Sequence, residues 1–229
     1  TVDYLQNYPH VLAGLCGPDI EEVTEIVSFA QTNGLQMRTL DTPKHMNADQ
    51  AACGSGCSGN PYDAYWAFDP LSHGDLHELG HGLERSRFRF DGFDGHALTN
   101  PYSYFTKYNY FLNTGNEAIT RAGCQNLPYE RIFDQIQASL GNADPWQAMR
   151  DENLSSWQEG VVITIQTMAL AQNEGHLSNG WHLLAMMHII DREFNDAVLN
   201  DTDWATHAAG IGFNGMSRTD AGALSNNDW

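Results

Sequence analysis

Apolar residues recur at helical spacing near the start of the chain and again over most of its second half. After Pro18 and Asp19, the apolar positions predict an amphipathic helix that ends near Gly34. Residues 35–39 alternate like a short strand. Beyond Asn100, the pattern predicts five helical segments: 101–112, 129–140, one that begins at 144–145, 156–174 and 181–198.

These elements predict an α+β fold that is predominantly α. The strand signal lies before residue 70, so we expect a small mixed lobe followed by a helical lobe. No internal repeat or low-complexity linker divides the chain, and we treat residues 1–229 as one domain. The chain begins without an export signal and stops at Trp229 without a closing element, so we expect a fragment of a longer protein.

Composition narrows the range of partners. The formal net charge is −18, and Lys44 and Lys107 are the only lysines. Phosphate-binding proteins need a basic surface, so we expect no nucleic-acid partner. No apolar run approaches the roughly 20 residues that span a bilayer, and we expect no membrane insertion.

The four cysteines are Cys16, Cys53, Cys57 and Cys124. Cys53 and Cys57 flank a Gly and Ser-rich spacer whose flexible backbone favours a local disulfide. The alternative is a metal clip, which would need a second ligand pair of similar spacing. An even cysteine count in an acidic, lysine-poor chain favours an extracellular or periplasmic location.

The motif that carries chemistry is H-E-x-x-H, at residues 77–81. Residues four apart share one face of a helix, so His77 and His81 can hold one zinc ion while Glu78 acts as general base. At this composition, chance would produce the motif about 0.02 times. Ser72 is positioned to cap the helix, and an apolar face is predicted for Leu76, Leu79 and Leu83.

A catalytic zinc needs a third protein ligand, and four residues are candidates. The position six residues after the motif is Arg87, which excludes one large group of metallopeptidases. Glu84 lies on the same helix but points along it. Asp91 and Asp94 occupy a Gly-rich turn, and His96 follows that turn near the start of the next helical stretch.

At this point the sequence resembles a known family. The residues that carry the likeness are the run 37–43, the Cys53 to Pro61 loop and the extended motif 77–84, with a looser likeness in the helical half. They resemble the bacterial immunomodulating metalloproteases, which are related to the enhancin-like metallopeptidases. The resemblance implies a zincin-like catalytic domain of a secreted enzyme that cuts mucin-type proteins next to an O-glycosylated Ser or Thr.

The resemblance also implies a third ligand. Enhancin relatives use a Glu that opens a run Glu-x-x-x-Asn-x-aromatic-Ser, and His96 stands at that position here. Histidine is equally a zinc ligand, so the departure keeps the chemistry. Asn100, four residues on, is predicted either to support a ligand imidazole or to cap a helix before Pro101.

The predicted reaction is peptide-bond hydrolysis assisted by zinc, with Glu78 moving the proton. The donor for the developing oxyanion stays open among five residues: His176, His182, His188, Tyr102 and Tyr104. The four tryptophans of the helical segments are expected in the core: Trp146, Trp157, Trp181 and Trp204. Two other functions remain: a peptidase indifferent to glycans, and a glycan-binding module with a structural zinc.

Overall fold

The computed structural model describes residues 2–40, 69–90, 92–116, 130–152, 160–200, 204–210, 217 and 219–220. Its elements in chain order are α1 Val2–Leu12, β1 Leu15–Cys16, α2 Thr24–Thr32, β2 Arg38–Thr39, α3 His73–His81, α4 His96–Thr114, α5 Glu130–Ser139, α6 Pro145–Asp151, α7 Val161–Asn173, α8 His182–Asn200 and α9 Trp204–Gly210. A 3-10 turn at Ser86–Phe88 separates α3 from α4. The structure is mostly helical with a two-stranded sheet, which confirms the predicted fold class.

The motif helix α3 forms as the sequence predicts. The side chain of Ser72 accepts a hydrogen bond from the backbone N of Asp75, so it caps the first turn. Leu76, Leu79 and Leu83 are buried, which confirms the predicted apolar face. The helix ends at His81, and Leu83 follows in the turn after it.

Close packing of α3 against α4 depends on Gly80, the fourth residue of the motif. A Cβ at Gly80 would lie 3.1 Å from the backbone O of Thr99 and 3.1 Å from the Cδ2 of Tyr102. An alanine at this crossing would require the backbone of Thr99 and the ring of Tyr102 to shift by a few tenths of an ångström. The two helices therefore meet where the histidines of α3 face the first turns of α4.

The start of α4 differs from the prediction. The helix begins at His96, and Pro101 lies inside it. The side chain of Asp94 accepts a hydrogen bond from the backbone N of His96, which satisfies a first-turn donor and lets the helix start earlier. Asn100 is consequently buried inside the helix, and its predicted role as an N-cap is wrong.

The N-terminal elements also correct the prediction, and they pack into the same core as the later helices. α2 begins at Thr24 rather than after Pro18, because Asp19 has a φ of 60° and interrupts the helical pattern. The predicted strand at 35–39 shortens to β2, which pairs in parallel with β1. Helix α1 was not predicted, since Pro9 lies inside it and its buried residues cluster at one end, from Pro9 to Leu12.

The remaining helices follow the sequence pattern closely. α5, α6 and α8 match the predicted segments within a few residues, and Asp144 caps α6. α7 covers the later part of its predicted segment, whose residues 156–159 lie outside the described part of the chain. Trp181 and Trp204 are buried as expected, Trp146 is half-buried, and Trp157 lies outside the described residues. Across the described ranges, no helix is both long enough and apolar enough to cross a bilayer.

Candidate metal centre

Three histidines from two helices come together in the structure. His77 and His81 lie on α3, and His96 is the first residue of α4. One ring nitrogen from each falls within 4.8 Å of the others. The helix crossing at Gly80 therefore gathers the histidines that the sequence singled out, and their role as zinc ligands stays a prediction.

His77, the most buried histidine of the cluster, contacts two polar side chains of α4. The Nδ1 of His77 lies 2.9 Å from the Oδ1 of Asn100 and 3.0 Å from the Oγ1 of Thr99. Asn100 and Thr99 are fully buried, so this contact fixes the orientation of the imidazole. Asn100 thus adopts the supporting position that the sequence offered as an alternative to helix capping.

The other two rings each meet a carboxylate. The Nδ1 of His81 lies 3.2 Å from the Oε1 of Glu84, and the Nδ1 of His96 lies 2.8 Å from the Oδ1 of Asp94. Glu84 and Asp94, considered from the sequence as third ligands, contact the imidazoles of His81 and His96 and do not join the cluster. Asp91 lies outside the described residues.

All three imidazoles therefore present Nδ1 to an oxygen of a neighbouring side chain. Metal-binding histidines commonly donate one ring N–H in this way, which fixes the tautomer and leaves the other nitrogen for the ion. The cluster also runs from the interior to the surface. His77 is 3% exposed, while the side chains of His81 and His96 are 30% and 49% exposed. One side of the cluster is therefore open to solvent.

At the buried end of the cluster, the surroundings of His77 favour the neutral imidazole, which is the form that binds a metal ion. Burial, helped by the neighbouring histidines and opposed by the hydrogen bond with Asn100, lowers the pKa of His77 to about 3. The hydrogen bond with Glu84 raises the pKa of His81. Burial alone would raise the pKa of Asp94, but hydrogen bonds from His96 outweigh it and hold that pKa below its ordinary value.

Glu78 follows His77 on α3 and is half-buried. Its position between the two histidines of the motif places a carboxylate on the helix that carries them. This is the residue type and spacing that a general base beside a metal requires.

His73 is a site residue that the sequence reasoning missed. It precedes His77 by one helical turn, is buried, and its ring centroid lies 5.1 Å from that of His77. Its Nδ1 lies 3.3 Å from the Oγ of Ser103, and burial lowers its pKa to about 4. The spacing of His73, His77 and His81 at every fourth position was the available signal. His73 lies outside the three-histidine cluster, and its ring packs against that of His77.

The five residues considered as oxyanion donors are not gathered at the cluster. Tyr102 and His188 are fully buried and bond each other, with the hydroxyl oxygen 2.8 Å from Nε2. His182 contacts Glu25, and Tyr104 stacks against Trp181. His176 is exposed after α7.

The predicted disulfide of Cys53 and Cys57 lies outside the described residues, as does Cys124, so the pairing stays a prediction. Cys16 is half-buried and carries a free thiol. Its Sγ lies 3.7 Å from the Oγ1 of Thr39 on the neighbouring strand.

A mostly helical domain with these three histidines fits a zincin-like site. Comparison with known proteins points the same way. The chain is similar to the immunomodulating metalloprotease of Pseudomonas aeruginosa, with 25% identity over 228 residues that cover 89% of this chain. This similarity confirms the resemblance seen in the sequence. The chain spans 23% of the length of that relative. No family profile matches the chain, and no solved structure matches it significantly.

Proposed function

We propose that this chain is the catalytic part of a zinc-dependent endopeptidase. The observation that carries the proposal is the cluster of His77, His81 and His96, with Glu78 on the same helix. The similarity to a protein named as a metalloprotease supports the reaction class.

The donor set fits zinc. Zinc in catalytic sites is held by three protein ligands, and a set of three imidazoles is one of the established combinations. Neutral imidazole also binds other transition metals. Calcium and magnesium prefer oxygen ligands, mainly carboxylates, which the three histidines do not supply. Here His77, His81 and His96 would hold the ion, and Asn100, Glu84 and Asp94 would orient them.

Held by His77, His81 and His96, a zinc ion would supply Lewis acidity that lowers the pKa of a bound water towards about 7 and polarises a peptide carbonyl. The carboxylate of Glu78 accepts the proton of the attacking water. It then delivers that proton to the nitrogen of the leaving amine, so the bond between the carbonyl carbon and nitrogen breaks. Such a base contributes about 10²-fold to 10⁴-fold in rate.

Catalysis is favoured over a purely structural metal site. A structural zinc is normally closed by four protein ligands, whereas the described part of the chain supplies three, and the side chain of His96 is half exposed. A carboxylate at Glu78 has no task at a closed structural site. The glycan-binding module with a structural zinc is therefore the weaker alternative.

For the substrate, we propose O-glycosylated proteins of the mucin type, cut next to a glycosylated Ser or Thr. This rests on the resemblance carried by the loop and the extended motif, because the relative's name specifies a metalloprotease without naming its substrate. We also propose that the protein is secreted, based on its acidity and cysteine content. The alternative is a peptidase that does not require glycans, and the experiment must distinguish it from a glycan-dependent enzyme.

The test is digestion of a mucin-type glycoprotein before and after enzymatic removal of its glycans. Cut sites are mapped by mass spectrometry, with Glu78→Gln as the inactive control. We expect cuts next to glycosylated residues, lost after deglycosylation and absent with the variant. Equal cutting of both forms would leave a general zinc peptidase, and no cutting of either would reject the peptidase proposal.

A further inference from the structure

A cleft of about 380 Å³ begins directly after the motif helix. It is lined by the segment that follows His81, by β2 and by the first turn beyond α1. Glu84 lines the cleft, and its Oε1 contacts the Nδ1 of His81. The cleft therefore adjoins the histidine cluster through one shared side chain.

The charge of this cleft is opposite to that of the whole chain. The protein has 29 Asp and Glu against 11 Lys and Arg. Three of those cations, Arg38, Arg85 and Arg192, line the cleft, and Glu84 is its only lining carboxylate among the described residues. The Oε1 of that carboxylate contacts His81, and among the described residues the carboxylate forms no ion pair with an arginine.

Arg192 is the deepest of the three. It is 7% exposed, and its guanidinium donates to the backbone O of Gly14 at 2.9 Å and to the backbone O of Ala13. Within the described ranges it forms no ion pair. Burial, together with the charges of Arg85 and Arg38, lowers the pKa of Arg192 to about 10, against the opposing effects of Tyr102 and Asp191. A buried cation that forms no direct ion pair gains from a bound anion.

Each of the other two arginines is paired with a carboxylate. Arg85 shares its carboxylate with another arginine, and Arg38 has a partner at the exposed surface. The Nε of Arg85 lies 3.2 Å from Asp191, whose other oxygen lies 3.4 Å from the Nε of Arg87. Arg38 pairs with Asp196 at 3.2 Å, and both side chains are more than half exposed. Exposed pairs of this kind contribute little, so Arg38 can exchange its partner at small cost.

We infer that this cleft is a subsite for a carboxylate carried by the substrate, beside the end of the motif helix. The guanidinium fork matches a carboxylate with two parallel hydrogen bonds, which a lysine could not provide. The volume has room for one side chain or one sugar ring. The carboxylate belongs either to an acidic residue of the peptide or to an acidic sugar of its glycan. The inference rests on the proposed peptidase function and adds a substrate preference to it.

Two matched pairs of synthetic O-glycopeptides test it. In the first pair, Glu replaces Gln at successive positions flanking the cleaved bond. In the second pair, the glycan ends in an acidic sugar or lacks it. Cleavage is measured as kcat/KM with the zinc-loaded protein, and binding is measured by calorimetry with Glu78→Gln. We expect the acidic member of one pair to be favoured about tenfold or more, which is what a charge-assisted hydrogen bond provides. The pair that shows it identifies the source of the carboxylate.

Variants decide whether the cleft causes the preference. Arg38→Gln changes an exposed side chain and should reduce the acidic-to-neutral ratio several-fold, and Arg85→Gln should do the same. Asp196→Asn removes the competitor of Arg38 and should maintain or raise the ratio. Arg89→Gln removes an exposed charge that does not line the cleft and should leave the ratio unchanged.

A ratio near one in both pairs, or a ratio that survives Arg38→Gln, overturns the subsite. If Arg85→Gln fails to fold, the Arg38 and Asp196 variants give the answer. Failure of the peptidase proposal looks different, because the wild-type protein would then cleave no peptide at all. In that case the calorimetric ratio, obtained without turnover, still decides whether the cleft recognises a carboxylate.

Discussion

The Oδ1 of Asn100 lies 2.9 Å from the Nδ1 of His77, and both residues are buried where α4 crosses α3. The amide oxygen fixes which ring nitrogen is free for a metal. Replacing such a supporting partner commonly lowers metal affinity about 10-fold to 100-fold. We therefore expect Asn100→Ala to weaken zinc binding by about that factor, measured by competition with a chromophoric chelator.

The matched control for this change is Asn109→Ala. Asn109 lies on the same helix, but its side chain donates to the backbone O of Phe105. Its loss should leave zinc affinity within about twofold, because no imidazole depends on it. Equal weakening by both variants would mean that Asn100 acts through helix stability alone.

Gly80 is the second point at which α3 and α4 depend on each other. A Cβ there would approach the backbone O of Thr99 to 3.1 Å, so Gly80→Ala must push the helices apart. We expect a stability loss of about 1–3 kcal/mol in urea unfolding, together with weaker zinc binding. At Gly141 the nearest atom would be at 3.6 Å, an ordinary contact, so Gly141→Ala should be tolerated. A Gly80→Ala protein as stable as wild type would show that the crossing is looser than described.

Glu78→Gln should separate binding from chemistry. The amide keeps the size of the side chain but cannot accept the proton, so turnover should fall by at least about a hundredfold. Zinc content should stay near that of the wild type, because His77, His81 and His96 are untouched. Steady-state kinetics and elemental analysis on the same preparation check both parts. Activity within tenfold of the wild type would remove Glu78 from the mechanism.

Glu25 gives a prediction about pH. Burial would raise its pKa, but hydrogen bonds from Ser178 and His182 outweigh burial and lower the pKa from 4.5 to about 2. The folded protein therefore binds fewer protons at Glu25 than the unfolded chain, and the stabilisation is complete above about pH 4.5 and lost as the pH falls towards 2.

Glu25→Gln should accordingly destabilise the protein by about 1–3 kcal/mol at pH 6, the scale of hydrogen bonds to a charged group. The difference from wild type should shrink steadily between about pH 4.5 and pH 2. Urea unfolding of both proteins across this range measures it. A difference that stays constant with pH would mean that the charge of Glu25 is not involved.

The sequence predicts the three histidines of the site better than it predicts the side chains that orient them. The motif spacing predicts that His77 and His81 share a helix face, and the family resemblance points to His96. The contacts of Asn100, Glu84 and Asp94 with these rings depend on how two helices cross, which local pattern does not encode. The need for glycine at position 80 is likewise visible only once α4 is in place.

In the fold, too, elements set by local sequence signals are predictable, whereas elements set by packing are not. Segments with strong periodicity and clear caps, such as α6 behind Asp144, are predictable from local signals. Helix α1 was missed because Pro9 interrupts its pattern and its stability comes from packing against α4. Asp19, at φ 60°, delays α2 in a way that the apolar spacing could not reveal.

The most direct test of the central claim is the zinc content of purified protein and of four single variants. The three histidines of the cluster are each changed to Ala, and His176→Ala, at an exposed histidine outside the cluster, serves as control. Inductively coupled plasma mass spectrometry should find about one zinc per chain in the wild type and in His176→Ala, and a loss of nearly all zinc in His77→Ala, His81→Ala and His96→Ala. Full zinc occupancy in His96→Ala would contradict the three-histidine site.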